Sequence, residues 1–203
     1  LSGYFQPVRI RAPEDARIAL ATEGHFNASQ PGDALVGLQI GAVYRLQVTN
    51  IPNNPGTEIF PTIEVIDRLY PPPGLALRYP IPIELTAEEL DLAAQGLFVT
   101  RIIYVEDPKQ ALPVKRQAGE TQPWIEARPG DDPLVVADGL GRPVAILRIG
   151  GRVPIASGPG GSFTFGCPPL VMYEAGPAPT TETGPVMPNL GLPNSEPYYN
   201  PEF

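Results

Sequence analysis

The chain has 203 residues, enough for one sizeable core, and 42% of them are hydrophobic, an ordinary share for a globular protein. Its 14 Lys and Arg against 22 Asp and Glu leave a net charge of −8, which argues against nucleic-acid binding and against electrostatic attachment to anionic lipid. Only 18% of residues are charged, while 28 prolines and 21 glycines stand out, so rigid turns must punctuate whatever core forms.

Taken in chain order, apolar residues recur in short runs or alternate with polar ones, which is the pattern of β-strands. Residues 8–11 and 18–21 are short strands around the loop Ala12-Pro13-Glu14-Asp15. Residues 35–40 follow. Residues 43–50 then alternate, with Val43, Leu46 and Val48 against Arg45, Gln47 and Thr49, and with Tyr44 as an exception. Ile51-Pro52-Asn53-Asn54-Pro55-Gly56 is a turn, because proline presets φ and glycine supplies positive φ. A long strand is expected over residues 59–69, with Pro61 near its start or at an edge. Tyr70-Pro71-Pro72-Pro73-Gly74 makes a polyproline-like corner. Residues 79–85 carry Pro80 and Pro82, which suits an edge segment and not a central strand.

One helix is expected. Thr86 is its N-cap, Glu89 three residues on completes a capping box, and Leu90, Ala93 and Ala94 form its apolar face. Gly96 stops it. Residues 97–105 make the next strand. Residues 134–137 and 143–149 read as a hairpin about Asp138-Gly139-Leu140-Gly141-Arg142, and residues 162–165 as a last strand. Residues 109–133 are the place where the body could subdivide. Together these features predict a mainly β protein: an antiparallel β-sandwich or barrel-like domain over residues 1–167 with one short α-helix. Residues 168–203 are an extended proline-rich tail without Lys or Arg. A segment of that composition cannot bury enough apolar surface to fix itself, so it is expected to wrap its own domain or to lie on a neighbour.

Chemistry-bearing constellations are sparse. The only histidine is His25 and the only cysteine Cys167, too few for a zinc site, and no Gly-x-Ser-x-Gly elbow or phosphate loop occurs. A Cys167–His25 dyad has no supporting motif. Glu14-Asp15, Glu88-Glu89, Glu106-Asp107 and Asp131-Asp132 are adjacent carboxylates, and neighbours on a strand point to opposite faces, unlike a glycosidase pair across a cleft. Asp131-Asp132 suits a turn better than a Ca²⁺ site. No catalytic residue, cofactor or metal is therefore expected. Cys167 reads as an intermolecular bridge, a covalent attachment or a buried thiol, with the buried thiol favoured by Phe163, Phe165, Leu170 and Val171 around it. Trp124 with nearby aromatics is either core or a stacking platform. Interaction residues are expected at both ends and around these positions: Tyr4, Phe5, Trp124, Cys167, Tyr198, Tyr199 and Phe203.

Several stretches carry a resemblance. They are Tyr44-Arg45-Leu46, Ile51-Pro52, Phe60-Pro61-Thr62-Ile63-Glu64-Val65-Ile66-Asp67-Arg68-Leu69, Pro80-Ile81-Pro82-Ile83, Phe98-Val99-Thr100-Arg101-Ile102-Ile103-Tyr104, Glu106-Asp107-Pro108, Gly130-Asp131-Asp132-Pro133-Leu134 and Gly141-Arg142-Pro143-Val144-Ala145-Ile146-Leu147-Arg148. This half of the chain resembles an uncharacterised family of exported, signal-peptide-bearing proteins from planctomycete-type bacteria. The resemblance implies export to the periplasm, cell surface or medium, and no activity. The start at Leu1 fits either a removed signal peptide, the favoured reading, or a missing N-terminal piece. The function expected from all of this is a non-enzymatic structural or assembly protein of the cell envelope or an extracellular polymer. It would dock to copies of itself or to an envelope complex through its terminal segments, without nucleic acid and without a transmembrane segment. The alternative is an exported binding module or accessory subunit that recognises a polysaccharide, a peptide or a larger envelope complex.

Overall fold

Short alternating runs separated by proline and glycine turns give strands that need partners from far along the chain. The structure, a computed structural model, describes residues 3–107, 109, 125–155 and 158–174. In chain order its elements are β1 (Gln6–Arg11), β2 (Arg17–Thr22), β3 (His25–Phe26), β4 (Gln30–Pro31), β5 (Asp33–Leu38), β6 (Val43–Thr49) and β7 (Thr62–Val65). A single 3-10 turn at Ala76–Arg78 precedes β8 (Ile81–Glu84), α1 (Ala87–Ala94) and β9 (Val99–Glu106). Helix α2 (Pro133–Leu140), β10 (Gly141–Ile149) and β11 (Leu170–Tyr173) complete it.

The strands form two sheets, one ordered β11-β5-β1-β8 and the other β3-β2-β6-β7-β10-β9, with β4 also on β2. Strand pairs are antiparallel except β1 with β8. The chain crosses repeatedly between sheets, by a short proline-bearing loop at Ala12-Pro13 and by a long one at residues 66–80 that carries Pro71-Pro72-Pro73. This is a sandwich-like, mainly β architecture, as expected. Val8, Ile10, Val36, Leu38, Ile81 and Ile83 of the smaller sheet share one buried core with Ile18, Leu20, Leu46, Val48, Ile63, Leu147 and Ile149 of the larger. Burying each such side chain stabilises the fold by roughly 1.5–3 kcal/mol.

The helix at residue 86 forms as expected. Thr86 Oγ1 accepts the Glu89 N–H at 3.2 Å while the Glu89 carboxylate accepts the Thr86 N–H at 3.0 Å. Leu90 and Ala93 supply its buried face, and Gly96 takes positive φ just beyond it. The 79–85 segment lies at a sheet edge, again as expected, because β8 ends the smaller sheet.

Three expectations need correction. The expected hairpin arm at residues 134–137 is α2, so the described residues hold two helices instead of one. Its β-branched run suggested a strand. The local signals that prevail are Asp132, whose carboxylate accepts the Leu134 N–H at 2.9 Å, and Pro133 in the first turn. The helix runs directly into β10 at Gly141, where a Cβ would collide with the Val105 carbonyl. Residues 162–165 are a turn, not a strand, and the last described strand is β11, inside the segment read as tail and paired with β5. The expected long strand over residues 59–69 keeps ladder pairing only over Thr62–Val65, with an isolated bridge from Ile59 to Val48. The Pro61 carbonyl still accepts the Leu46 N–H at 2.9 Å. The 109–133 region falls largely outside the described residues.

Candidate interaction groove

Beyond β7 the ladder ends and the prolines carry residues 66–80 around the side of the sandwich. Gln6, 1% exposed, fixes the near end of this corner. Its Oε1 accepts the Leu69 N–H at 2.8 Å and the Tyr4 hydroxyl at 3.2 Å, and its Nε2 donates to the Pro7 carbonyl at 2.9 Å. Tyr4 is thereby held beside Arg68. The Arg68 guanidinium lies between two rings, 5.1 Å from the Tyr4 centroid and 4.4 Å from that of Tyr70. Its Nε is buried without a hydrogen-bond partner. Arg142 closes the stack: it sits 5.6 Å from the Tyr70 centroid, pairs with Asp67, and donates to the Arg68 carbonyl at 3.0 Å. Burial pushes the Asp67 carboxyl up, but the Arg68 N–H and Arg142 outweigh it and hold the group below the usual carboxylate range.

At the far end of the corner, alternation on the outer face of the smaller sheet sets Arg9 opposite Pro82 and Arg11 opposite Glu84. Arg9 makes a two-pronged bond to Asp33 at 2.9 and 2.6 Å. That bond lowers the Asp33 pKa and raises that of Arg9. Arg11 approaches Glu84 at 3.7 Å. The side chain of Arg78, in the 3-10 turn, makes no hydrogen bond or ion pair among the described residues. Around these arginines lies an open cavity of about 420 Å³, and a second of about 380 Å³ adjoins it. Leu69 and Tyr79 line both, so the two form one groove. It runs from Arg9, Arg11 and Arg78, past Tyr79, to Tyr70, Arg142 and Val105. Tyr79 is 49% exposed and its ring is open to a ligand, whereas Tyr70, 69% exposed, already carries Arg68 and Arg142 over its ring. On a chain of net charge −8 this groove gathers five arginines against Asp33, Asp67 and Glu84.

Val105 belongs to β9, which forms one edge of the larger sheet. All eight residues of β9 are at least partly exposed, and its far side has no strand partner among the described residues. Arg101 ties this edge to the rest of the molecule through Glu89, at 3.3 Å, and the Glu84 carbonyl.

A second arginine has a different setting. Arg45, 6% exposed, donates Nε to the Phe163 carbonyl and Nη1 to the Phe60 carbonyl, both at 3.0 Å. Phe163 and Phe165 lie over its guanidinium at 4.4 and 5.0 Å. Burial pulls its pKa down, and the nearby Arg152 charge adds to that. The turn that covers it explains why Tyr44, Arg45 and Leu46 are buried in succession. The Tyr44 hydroxyl accepts the Gln39 N–H at 2.9 Å and donates to the Pro169 carbonyl at 2.8 Å. Burial raises the pKa of this phenol.

Of the interaction residues read from sequence, Tyr4 packs against Arg68 and bonds Gln6, and it does not line the groove itself. Phe5 instead packs with Tyr173 over Gly37, where a Cβ would come within 2.9 and 2.8 Å of them. Cys167 is half-buried, and its sulphur accepts the Gly24 N–H at 3.2 Å, beside the β2–β3 turn. That places the thiol near the backbone of the Gly24-His25 turn, but among the described residues no hydrogen bond joins it to the imidazole, whose Nδ1 lies 3.4 Å from the Glu23 carbonyl. Trp124, Tyr198, Tyr199 and Phe203 lie outside the described residues. Sequence reading missed Arg68, Tyr70, Arg78, Tyr79 and Arg142. A signal was present: Arg68-Leu69-Tyr70 and Arg78-Tyr79 bracket the proline corner, with an arginine and a tyrosine at each end. No family model, curated protein or solved structure matches this chain.

Proposed function

We propose that this chain is a non-enzymatic assembly protein of the cell envelope or of an extracellular polymer, exported in keeping with the resemblance in its sequence, that associates with copies of itself. The observation that carries the reading is β9. Eight residues without proline or glycine form a sheet edge whose outer side meets no strand among the described residues. Such an edge is a template for an incoming strand, and proteins that must stay monomeric usually blunt it with lysine, proline or a bulge. Here the sequence Val99-Thr100-Arg101-Ile102-Ile103-Tyr104-Val105-Glu106 carries no lysine and only one arginine, whose side chain is turned to Glu89.

The test is light scattering on the full chain across concentration, beside a Thr100→Lys variant, at a β9 position that is exposed and lies outside the groove. The wild type is expected to rise above 21.8 kDa with concentration and the variant to stay at that mass. A wild type that remains monomeric throughout ends the reading. The exposed ring of Tyr79, beside Tyr70, favours the alternative, a module that binds a polysaccharide or peptide. Binding of a polysaccharide by a monomeric chain, lost on Tyr79→Ala, would put that reading first.

A further inference from the structure

We infer that the groove between Arg9 and Val105 is the receptor for the acidic, proline- and tyrosine-rich segment 175–203 of a second copy of this chain. The inference rests on the assembly reading for its second copy and on the groove for its chemistry.

The groove has the two features that an extended proline-rich acidic peptide needs. Tyr70 and Tyr79 stand exposed beside Leu69, Pro80 and Pro82, an aromatic and apolar floor of the kind that prolines pack against. The Arg78 guanidinium, at the exposed rim of the groove, has its donors unused among the described residues. Guanidinium groups in that state favour carboxylates, through charge and paired N–H donors. The segment matches both features. Residues 175–203 hold Glu182, Glu196 and Glu202, no Lys or Arg, prolines throughout, and Tyr198-Tyr199 between Pro197 and Asn200-Pro201. In a chain of net charge −8, a surface this rich in arginine is the place where such a segment meets attraction instead of repulsion. Most of the remaining surface charge is acidic, which gives the pairing its specificity.

The test uses a fluorescently labelled peptide of residues 175–203. It is titrated into full-length chain carrying Glu182→Lys, Glu196→Lys and Glu202→Lys, so that the chain's own segment does not compete. Saturable binding that weakens as salt rises is expected. Adding Arg78→Glu and Tyr79→Ala to that chain should weaken binding by at least about tenfold. A peptide with its three glutamates changed to lysine should regain affinity for the Arg78→Glu chain. Unlabelled wild-type peptide should dissociate wild-type assemblies. If the wild type associates but the peptide does not bind, or binds equally to the Arg78→Glu/Tyr79→Ala chain, the inference fails and the assembly reading stands. If the peptide binds the triple variant while the wild type is a monomer at every concentration and excludes the peptide, the segment fills its own groove, and the second-copy assignment fails. If neither binding nor association occurs, both readings fail.

Discussion

Two regions of this molecule combine arginine with aromatic rings, and they do opposite things. Around Arg45, two carbonyls take up guanidinium donors, two phenylalanines cover the ring system, and 6% of the residue is exposed. Around Arg68 and Arg78, tyrosines reach solvent, the buried Arg68 Nε has no partner, and the Arg78 side chain makes no bond among the described residues. The residue types are nearly the same. The difference lies in whether the donors are used inside the fold. A buried cation with its donors used locks a loop to a sheet, whereas an exposed cation with donors left over can bind something else.

That contrast can be broken by substitution. The largest expected effect is at Arg45. Arg45→Leu leaves the Phe60 and Phe163 carbonyls without their donor and should cost about 3 kcal/mol in urea unfolding. A loss below about 1 kcal/mol would mean that the cage is not structural. Next comes Tyr44→Phe, which removes the hydroxyl that joins Gln39 to Pro169 and should cost about 1 kcal/mol. Thr86→Ala should cost a similar amount, about 1 kcal/mol, through loss of the α1 cap, and serves as a reference unrelated to either arginine.

The acid limb of stability sharpens the groove side. Arg9 lowers the Asp33 pKa in the folded state, so this pair stabilises the fold above the ordinary aspartate pKa of about 3.9 and loses that contribution as pH falls through the lower folded value. Asp33→Asn should flatten that part of the pH–stability curve by lowering neutral-pH stability, by no more than about 1 kcal/mol because the pair is largely exposed, while leaving stability below the folded pKa unchanged. An unchanged acid slope would show that the pair is not formed in solution. The smallest expected effect on stability is at Arg78→Glu and Tyr79→Ala, within about 0.5 kcal/mol of wild type, because both side chains lie at the surface. A large loss there would turn the groove from a docking surface into a structural element.

Much of this was legible in local sequence. The short apolar runs at β1, β2, β5, β9 and β10 and the alternation at β6 mark strands because each run is bounded by turn residues and buries its apolar side chains, and the Thr86/Glu89 box marks α1 because its donors are satisfied within four residues. The run at residues 134–137 misled because β-branched residues favour strands in general, while one aspartate cap and one proline decided the local outcome in favour of a helix. Strand β11 was hidden because its short run owes its place to a ready partner in β5, not to its own pattern.

The sequence by itself determined the β class, the proline corners, the acidic balance and the capped helix, since each of these depends on residues close together in the chain. Only the tertiary structure decided which arginine is caged and which is open, that Tyr4 joins Arg68 while Phe5 turns to Gly37, and that β9 ends its sheet. The physical reason is range. Burial and donor satisfaction at one side chain are set by groups such as Phe163 for Arg45 or Gln6 for Leu69, which stand far away in sequence and meet only when the two sheets pack.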